Sequence, residues 1–564
     1  MNLPHRLARW TVIACLTVCY TFTATASTLL LQLEIRGLDR LARSANFISE
    51  SFDVPVEQEM LVFGLLMPLG VMDDSGLDLN APMRMAAFTK TGNFNDQPDL
   101  QFALGKDAGA GDAFLQSLKS VWPLDEEWDG PGVRLTRPVD FPVQAPFPAL
   151  YVDDAESVIR LATDPTALAA LPDTGLDSVE GAIALMIYPD QWIDFIGSAL
   201  EMSLSGLPTE DGALEAQKLD EWSRILLDVF RTMRATGLGW EADAKHIHIN
   251  SYLSANPDNL LAELISSMKR PSDQFLALLP EESVYASVSY WDFPDALYDF
   301  YLEFMTSFLS MVPDQEDALE IIKLAVEMMR SQYAGDIAIG ILPSRDADGE
   351  SMPIDIIQAM RVRDPDALRT QMIDYVYQVE RLMGTAADDT AVVRPHLPRV
   401  YRDIEIHGYA MDSTAGIDDA DAQAMAAMML PFLSDVSSSY AFVGDIALTV
   451  TGSEQVMDRM IDRILDGGTP LTQAQPILSA WPDLGDAFVE LSLLKAAEFL
   501  HMAQDALPFL PLSWVSELSP HDGAFVSKSW VDGHEMYGLT LIDLPGLTKA
   551  IQAATAGEAP ATDY

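Results

Sequence analysis

Two histidines and an aspartate near the middle of the chain are residue types that bind metal ions. His246 and His248 alternate along the segment HIHINSYL, and Asp243 comes shortly before them. Because residues two apart lie on one face of a strand, the two imidazoles can share a zinc ion. Ile247 and Ile249 take the opposite, apolar face, so the polar face of a half-buried strand is the alternative. The sequence does not establish a third ligand.

Two short motifs are those of penicillin-interacting serine enzymes. Ser266 and Lys269 form S-x-x-K, and Lys90, Thr91 and Gly92 form K-T-G after a strand. In those enzymes S-x-x-K comes first and an S-D-N lies between the two motifs. Here K-T-G comes first and the sequence has no S-D-N. We therefore expect Ser266 to be an exposed polar residue late in a helix.

An acidic segment partly matches a calcium-binding loop. Positions 1, 3, 5, 6 and 12 of the template fall on Ser344, Asp346, Asp348, Gly349 and Asp355. Serine stands where the first aspartate is expected, aspartate replaces the bidentate glutamate, and strand patterns flank the segment. An acidic turn between two strands explains the same residues with fewer assumptions.

Motifs for nucleotide binding or acyl transfer do not occur in the sequence. It has no G-x-S-x-G elbow, no G-x-G-x-x-G fingerprint and no P-loop. We therefore predict no cofactor and a non-enzymatic protein. The alternative is a hydrolase that uses carboxylates or histidines. His246 and His248 gathered with acids in a cleft would favour that alternative, whereas exposure on an open sheet would count against it.

Two apolar segments lie where connections are usually polar. Residues 424–433 read AMAAMMLPFL and residues 506–515 read ALPFLPLSWV. Methionine-rich surfaces adapt to varied apolar partners, although helices packed on a sheet would have the same composition. The candidate residues for binding an apolar ligand or an envelope protein are Met428, Met429, Phe432, Phe509 and Trp514.

The N-terminus has the pattern of an export signal. Arg6 and Arg9 precede an uncharged run over 10–33, in which a small-residue A-x-A pattern ends at Ala26. The pattern predicts a signal peptide cleaved after Ala26, or else an uncleaved anchor to about residue 33. Both interpretations place the basic end in the cytoplasm and the body outside it, in the periplasm or attached to the inner membrane.

Charge and cysteine content limit the classes of function. The chain has 85 acidic against 34 basic residues, so nucleic acid would be repelled and we predict no nucleic-acid partner. Adaptation to a salty medium is one explanation of this charge, and attraction of cations or basic partners is another. Cys15 and Cys19, the two cysteines, lie in the export segment. A mature chain would therefore have no disulfide and no thiolate metal site.

One order of elements recurs along the chain: strand, one or two helices, strand, strand, helix. The second and third copies begin with strands over 182–189 and 284–291. Their predicted helices span 190–204 and 213–236 in the second copy, and 294–309 and 314–333 in the third. A fourth copy begins near 486, and a shorter first copy begins near the segment MLVFGLLMPLG at 60–70.

Short strands bridge the copies, so the pattern predicts two tandem halves over 51–270 and 272–556. Adjacent strands with short turns should pair antiparallel, and helices should cover the apolar side of the sheets. The predicted fold class is therefore α+β. The residues at 557–564 form a short polar tail that we expect to be flexible.

The order of elements, the export signal and segments such as FLALLPEESVYASVS (275–289) resemble a family of exported bacterial proteins known only as a domain of unknown function. The resemblance covers most of the mature chain. That family has no assigned activity, so it implies no site residues. We therefore expect an extracytoplasmic protein that binds a partner or an apolar ligand and meets the membrane only through an uncleaved N-terminal segment.

Overall fold

The computed structural model describes residues 28–50, 61, 66, 76–89, 99–107, 112–138, 148–155, 157–168, 175–193, 227–310, 316–344, 354–383, 393–411, 436–506 and 513–557. The chain divides into two compact units. Unit 1 comprises 1–256 with 537–539, and unit 2 comprises 257–536 with 540–564. The division at 256 lies before the helix over 260–267, which the sequence pattern assigned to the first half.

Nine strands of unit 1 form an antiparallel sheet. They are β1 (Thr28–Arg36), β2 (Pro82–Thr89), β3 (Asp99–Gly105), β4 (Val133–Thr136), β5 (Ala149–Asp154), β6 (Val158–Ala162), β7 (Ile183–Ile187), β8 (Met233–Ala242) and β9 (His246–Ala255). The strands pair in the order β4-β5-β6-β3-β2-β1-β7-β8-β9. The three strands predicted to follow the first copy are β4, β5 and β6.

Strand β1 lies inside the sheet of unit 1, between β2 and β7. Leu31 and the next residue, Gln32, are 1% and 2% exposed, as expected for a strand covered on both sides. The predicted first half begins at residue 51, with its first strand near residue 60, so the prediction did not include β1. Leu61 and Leu66, in the segment chosen instead, are helical and buried.

Helices cover the strands of unit 1 and complete its core. Among the described residues they include α1 (Leu38–Glu50) and α2 (Ala113–Val121), with short 3-10 turns at Pro165–Leu168, Leu176–Ser178 and Pro189–Trp192. Trp122, Phe114 and Leu118 from the α2 region pack with leucines of the strands in one cluster. The predicted helix over 213–236 ends too late, because β8 begins at Met233.

Unit 2 also holds antiparallel strands. Its strands are β10 (Tyr285–Tyr290), β11 (Tyr333–Pro343), β12 (Ile354–Val362), β13 (Val393–Tyr401), β14 (Ile404–Met411), β15 (Val436–Val443), β16 (Ile446–Thr451), β17 (Glu490–Leu494), β18 (Phe525–Asp532) and β19 (Glu535–Asp543). Nine of them pair in the order β13-β14-β15-β16-β12-β11-β10-β17-β18. The sequence pattern missed β13, which contains two prolines, at 395 and 398.

The helices of unit 2 are α3 (Leu260–Ser267), α4 (Asp273–Leu276), α5 (Asp295–Ser310), α6 (Glu316–Gln332), α7 (Pro365–Met383), α8 (Glu454–Asp466), α9 (Gln475–Ala480), α10 (Ala496–Ala506) and α11 (Leu544–Gly557), with 3-10 turns at Leu471–Gln473 and Ser513–Glu517. The predicted helices over 294–309 and 314–333 are confirmed as α5 and α6.

The two faces of the unit 2 sheet carry different helices. Ala441 and Val443 of β15 join a core cluster with α8, whereas Tyr440 and Phe442 join a cluster that reaches α6 and α7. The chain is therefore a mixed α/β fold in which helices pack on antiparallel strands, which confirms the predicted class at this level. Within the described ranges, no helix combines the length and the apolar character that crossing a membrane requires.

Candidate functional site

The end of the β8–β9 hairpin in unit 1 gathers Asp243, His246 and His248. One ligand atom from each of the three lies within 4.8 Å of the other two. His248 Nε2 is 3.1 Å from Oδ2 of Asp243. The two imidazole rings stand at 86° to one another, with centroids 6.1 Å apart. The third potential ligand, which the sequence did not establish, is therefore Asp243.

The hairpin turn fixes the carboxylate of Asp243. Its Oδ1 accepts the backbone N–H groups of Lys245 at 2.7 Å and of His246 at 2.8 Å. Such side-chain-to-backbone bonds stabilise tight turns. Burial acts to raise the pKa of Asp243, but these bonds and the one with His248 outweigh it, so the pKa lies below its usual value. The carboxylate is ionised at neutral pH.

A second acid faces His248 across the hairpin. Glu241 of β8 is the register partner of His248 on β9. The guanidinium of Arg40 binds both carboxylate oxygens of Glu241. The hydrogen bond from Arg40 holds the pKa of Glu241 below its usual value. Its charge is therefore satisfied by Arg40 beside the histidines.

Exposure decides which chemistry this cluster can do. The side chain of His248 is 31% exposed and that of Asp243 is 52% exposed, while Ala242 and Ile247 on the opposite face are buried. The histidines do lie with an acid, but at a half-exposed hairpin end. This half-exposed arrangement suits the binding of an ion. A hydrolase would need a more enclosed site that excludes water.

A methionine-lined cavity lies between the helices and the sheet of unit 2. Its volume is about 50 Å³. Four methionines contribute to its walls: Met328 and Met329 of α6, Met360 of β12, and Met372 of α7. Its remaining walls are Gln332, Tyr333, Val362, Leu368, Tyr440, Ala441, Phe442, Ala447, Leu448 and Thr449.

One polar side chain in this wall is not satisfied. Gln332, the last residue of α6, is 7% exposed. Its amide oxygen has no hydrogen-bond partner among the residues that the structure describes. An unpaired buried acceptor of this kind costs about 1–3 kcal/mol. Its neighbour Tyr333, by contrast, donates its hydroxyl to the carbonyl of Gly335 at 2.8 Å, and burial raises the pKa of that hydroxyl.

The described walls of this cavity include none of the predicted apolar-binding residues. Met428, Met429, Phe432 and Phe509 lie outside the described residues. Trp514 is half-buried in a 3-10 turn of unit 2. The cavity residues come from segments that the sequence pattern predicted only as helices and strands of the core. The methionine pair MM at 328–329, at the end of a predicted helix, was the one available signal.

In the described part of the serine-enzyme motif, Ser266 and Lys269 have other contacts. Ser266 Oγ donates to the carbonyl of Ala262 at 2.6 Å and lies 3.0 Å from Nδ1 of His534. A hydroxyl has one proton, and this one is donated to the helix carbonyl, so a hydrogen bond between Ser266 and His534 requires His534 to be the donor. Lys269 lies over the ring of Tyr290, 4.3 Å from its centroid. Lys90, Thr91 and Gly92 lie outside the described residues.

The surroundings of Asp355 argue against its being the last ligand of a calcium-binding loop. It is 1% exposed in β12, and its Oδ1 accepts the backbone N–H of Ser453 at 2.6 Å. The flanking strands β11 and β12 pair with each other, as the alternative of an acidic turn predicted. Asp346, Asp348 and Gly349 lie outside the described part of the chain.

Comparisons with known proteins add no function. No family model and no curated protein matches the chain. Two solved structures, crystal forms III and I of TP0453, are similar at 9% and 10% identity with TM-scores of 0.21 and 0.19. The matches cover 50% and 51% of this chain and 98% of the other in both cases. Similarity this weak carries no argument, and the resemblance to exported proteins of unknown function stays a prediction.

Proposed function

We propose that this chain is an extracytoplasmic, non-enzymatic binding protein whose unit 2 cavity receives the end of an apolar molecule that carries one hydrogen-bond donor. The observation that carries the proposal is the unpaired amide oxygen of Gln332 in a wall of methionines and aromatic rings. A hydroxyl or amine on the ligand would satisfy this oxygen, and the ligand's hydrocarbon part would contact the methionines.

The cavity must widen to hold more than a short group. Its volume of about 50 Å³ is a third of the roughly 150 Å³ that holds a benzene molecule. Methionine side chains have three rotatable bonds and repack readily. Met329 is 39% exposed, so its movement would open the cavity toward solvent. We expect a flexible chain end to enter here.

We propose that the protein is exported and that its signal peptide is cleaved after Ala26. Supporting it, β1 begins at Thr28, so cleavage there leaves the strand whole. An anchor extending to residue 33 would instead place six of the nine residues of β1 in a membrane, although Leu30 and Leu31 are buried in the sheet. Intact-mass measurement of the exported protein tests this, since a mass that includes residues 1–26 would contradict it.

We also propose that the two units are tandem copies of one fold. In each unit the first strand pairs with the second and with a much later one. In unit 1, β1 pairs with β2 and with β7, the seventh strand. In unit 2, β10 pairs with β11 and with β17, the eighth strand. The order of unit 1 from β4 to β8 matches the order of unit 2 from β14 to β18 position by position. In both, three later strands come before the first three strands, which run in reverse. Strand β13 is additional in unit 2. Independent folds would have no reason to share this order.

A titration with 1-octanol tests the binding function. The protein is labelled with ¹³C at its methionine methyl groups, and spectra are recorded as 1-octanol is added. We expect saturable shifts at Met328, Met360 and Met372. The variant Gln332→Met should lose affinity for 1-octanol because its side chain offers no acceptor of comparable strength.

The control variant is Met457→Leu, which changes a buried methionine in the other core cluster of unit 2. It should bind 1-octanol as the wild type does. Shifts spread evenly over the methionines of the protein, or shifts that do not saturate, would overturn the proposed cavity. Equal affinity of Gln332→Met and wild type would overturn the role of the amide.

A further inference from the structure

We propose that the β8–β9 hairpin binds one divalent transition-metal ion of the zinc class through Asp243, His246 and His248. This inference concerns unit 1 and does not depend on the apolar cavity of unit 2. It rests on the convergence of three ligand atoms within 4.8 Å.

The geometry requires only small side-chain movements. Zinc binds nitrogen and oxygen at roughly 2.0–2.2 Å, which places tetrahedral ligands about 3.3 Å apart. Asp243 Oδ2 and His248 Nε2 are already 3.1 Å apart. His246 has to approach the other two by no more than about 1.5 Å, a movement that rotation of a half-exposed side chain supplies.

The backbone holds the ligands in place. Because β9 is paired with β8 up to Ala242 and Ile247, the alternation of His246 and His248 on one face is fixed. Oδ1 of Asp243 is engaged by two backbone N–H groups, which leaves Oδ2 to face His248. An outer group that orients a ligand in this way strengthens metal binding.

The donor set selects the class of metal. Two imidazole nitrogens with one carboxylate oxygen suit zinc and its neighbours, whereas calcium and magnesium prefer oxygen ligands alone. The carboxylate of Glu241 is neutralised by Arg40, so Asp243 supplies the charge that offsets the ion. Three protein ligands leave a fourth position for water. The strongly negative chain, with a formal net charge of −51, also draws cations toward the site.

The test is isothermal titration of the purified protein with ZnCl₂ in excess MgCl₂, which occupies carboxylates that bind divalent ions without selectivity. We expect the wild-type protein to bind one zinc ion per chain tightly. His246→Ala and His248→Ala should each weaken this binding at least about tenfold, since each removes one of three ligands. His521→Ala, a change at an exposed histidine of unit 2, should not alter it.

A second measurement guards against variants that misfold. Imidazole nitrogen resonances of the unmutated protein are followed as zinc is added, and those of His246 and His248 should shift together at one equivalent. If neither shifts, or if the double variant His246→Ala/His248→Ala takes up the same tight equivalent as wild type, the hairpin is not a metal site. In that case the bond between Asp243 and His248 serves the turn alone.

Discussion

Oδ2 of Asp243 lies 3.1 Å from Nε2 of His248, while Oδ1 of the same carboxylate accepts two N–H groups of the β8–β9 turn. One side chain thus joins the turn to the strand that follows it. Its two oxygens have different partners, so its structural role and its role toward a metal can be separated by substitution.

Asp243→Asn should separate these roles. The amide oxygen can still accept the turn N–H groups, so thermal stability should stay close to that of wild type, whereas zinc affinity should fall because the ligand is no longer charged. Asp243→Ala should lose zinc binding and also about 1 kcal/mol of unfolding free energy. Urea unfolding and zinc titration of both variants provide the measurements. Zinc affinity of Asp243→Asn equal to wild type would show that the carboxylate is not a ligand.

Gln332→Met should stabilise the ligand-free protein. The substitution replaces a buried acceptor that lacks a partner among the described residues with an apolar side chain, and we expect a gain of about 1 kcal/mol in unfolding free energy. Gln32→Met is the matched control, because the Gln32 oxygen accepts the hydroxyl of Tyr188 at 3.2 Å and its loss should destabilise. If both variants are destabilised alike, Gln332 is satisfied in solution.

Glu490 should make stability depend on pH. Burial raises the pKa of this carboxyl in β17, and the hydrogen bond with Ser287 offsets only part of the effect. The folded protein therefore holds the proton more tightly than the unfolded chain does. Stability from this group is present below the ordinary glutamate pKa, near 4.3, and is lost as pH rises toward the raised value.

Glu490→Gln removes this dependence. Its unfolding free energy relative to wild type should therefore increase between pH 4 and pH 7, as measured by urea unfolding at each pH. Glu127→Gln, at an exposed position of unit 1, should show no such trend. A relative stability of Glu490→Gln that falls with rising pH would reverse the sign and contradict the argument.

Strand β1 should be essential to unit 1. Leu31 is 1% exposed and packs with Ala87 and Leu100, so Leu31→Ala should lower the unfolding free energy by about 2–5 kcal/mol. Leu124→Ala, at a leucine that is 47% exposed, should change it by less than about 1 kcal/mol. Thermal unfolding compares the two variants. A small effect at Leu31 would mean that β1 contributes little to the core.

Local patterns predicted those elements whose type depends on neighbours in sequence. The apolar spacing of residues 294–333 gave α5 and α6 to within two residues at each end, because burial of one helix face sets a period that the residues themselves display. The strand alternation that placed His246 and His248 on one face is likewise a property of the local backbone, and β9 has it.

Errors occurred where two local patterns overlap. Residues 28–33 continue the apolar run of the export segment, so sequence alone gave no sign that they begin a strand. Strand β13 was not predicted, and it contains Pro395. It is the last strand in its order and has a register shift between His396 and Arg399, which are places where proline is tolerated.

The sequence by itself determined the fold class, the pairing of short strands into antiparallel sheets, the acidic charge and the alternation of the two histidines, because each depends on composition or on residues a few positions apart. Only the tertiary structure decided which distant residues meet. The cavity joins Met328, Met360 and Phe442, and the hairpin cluster gains Glu241 with Arg40, 201 residues apart. Such contacts follow from sheet register and helix packing, which no local pattern encodes.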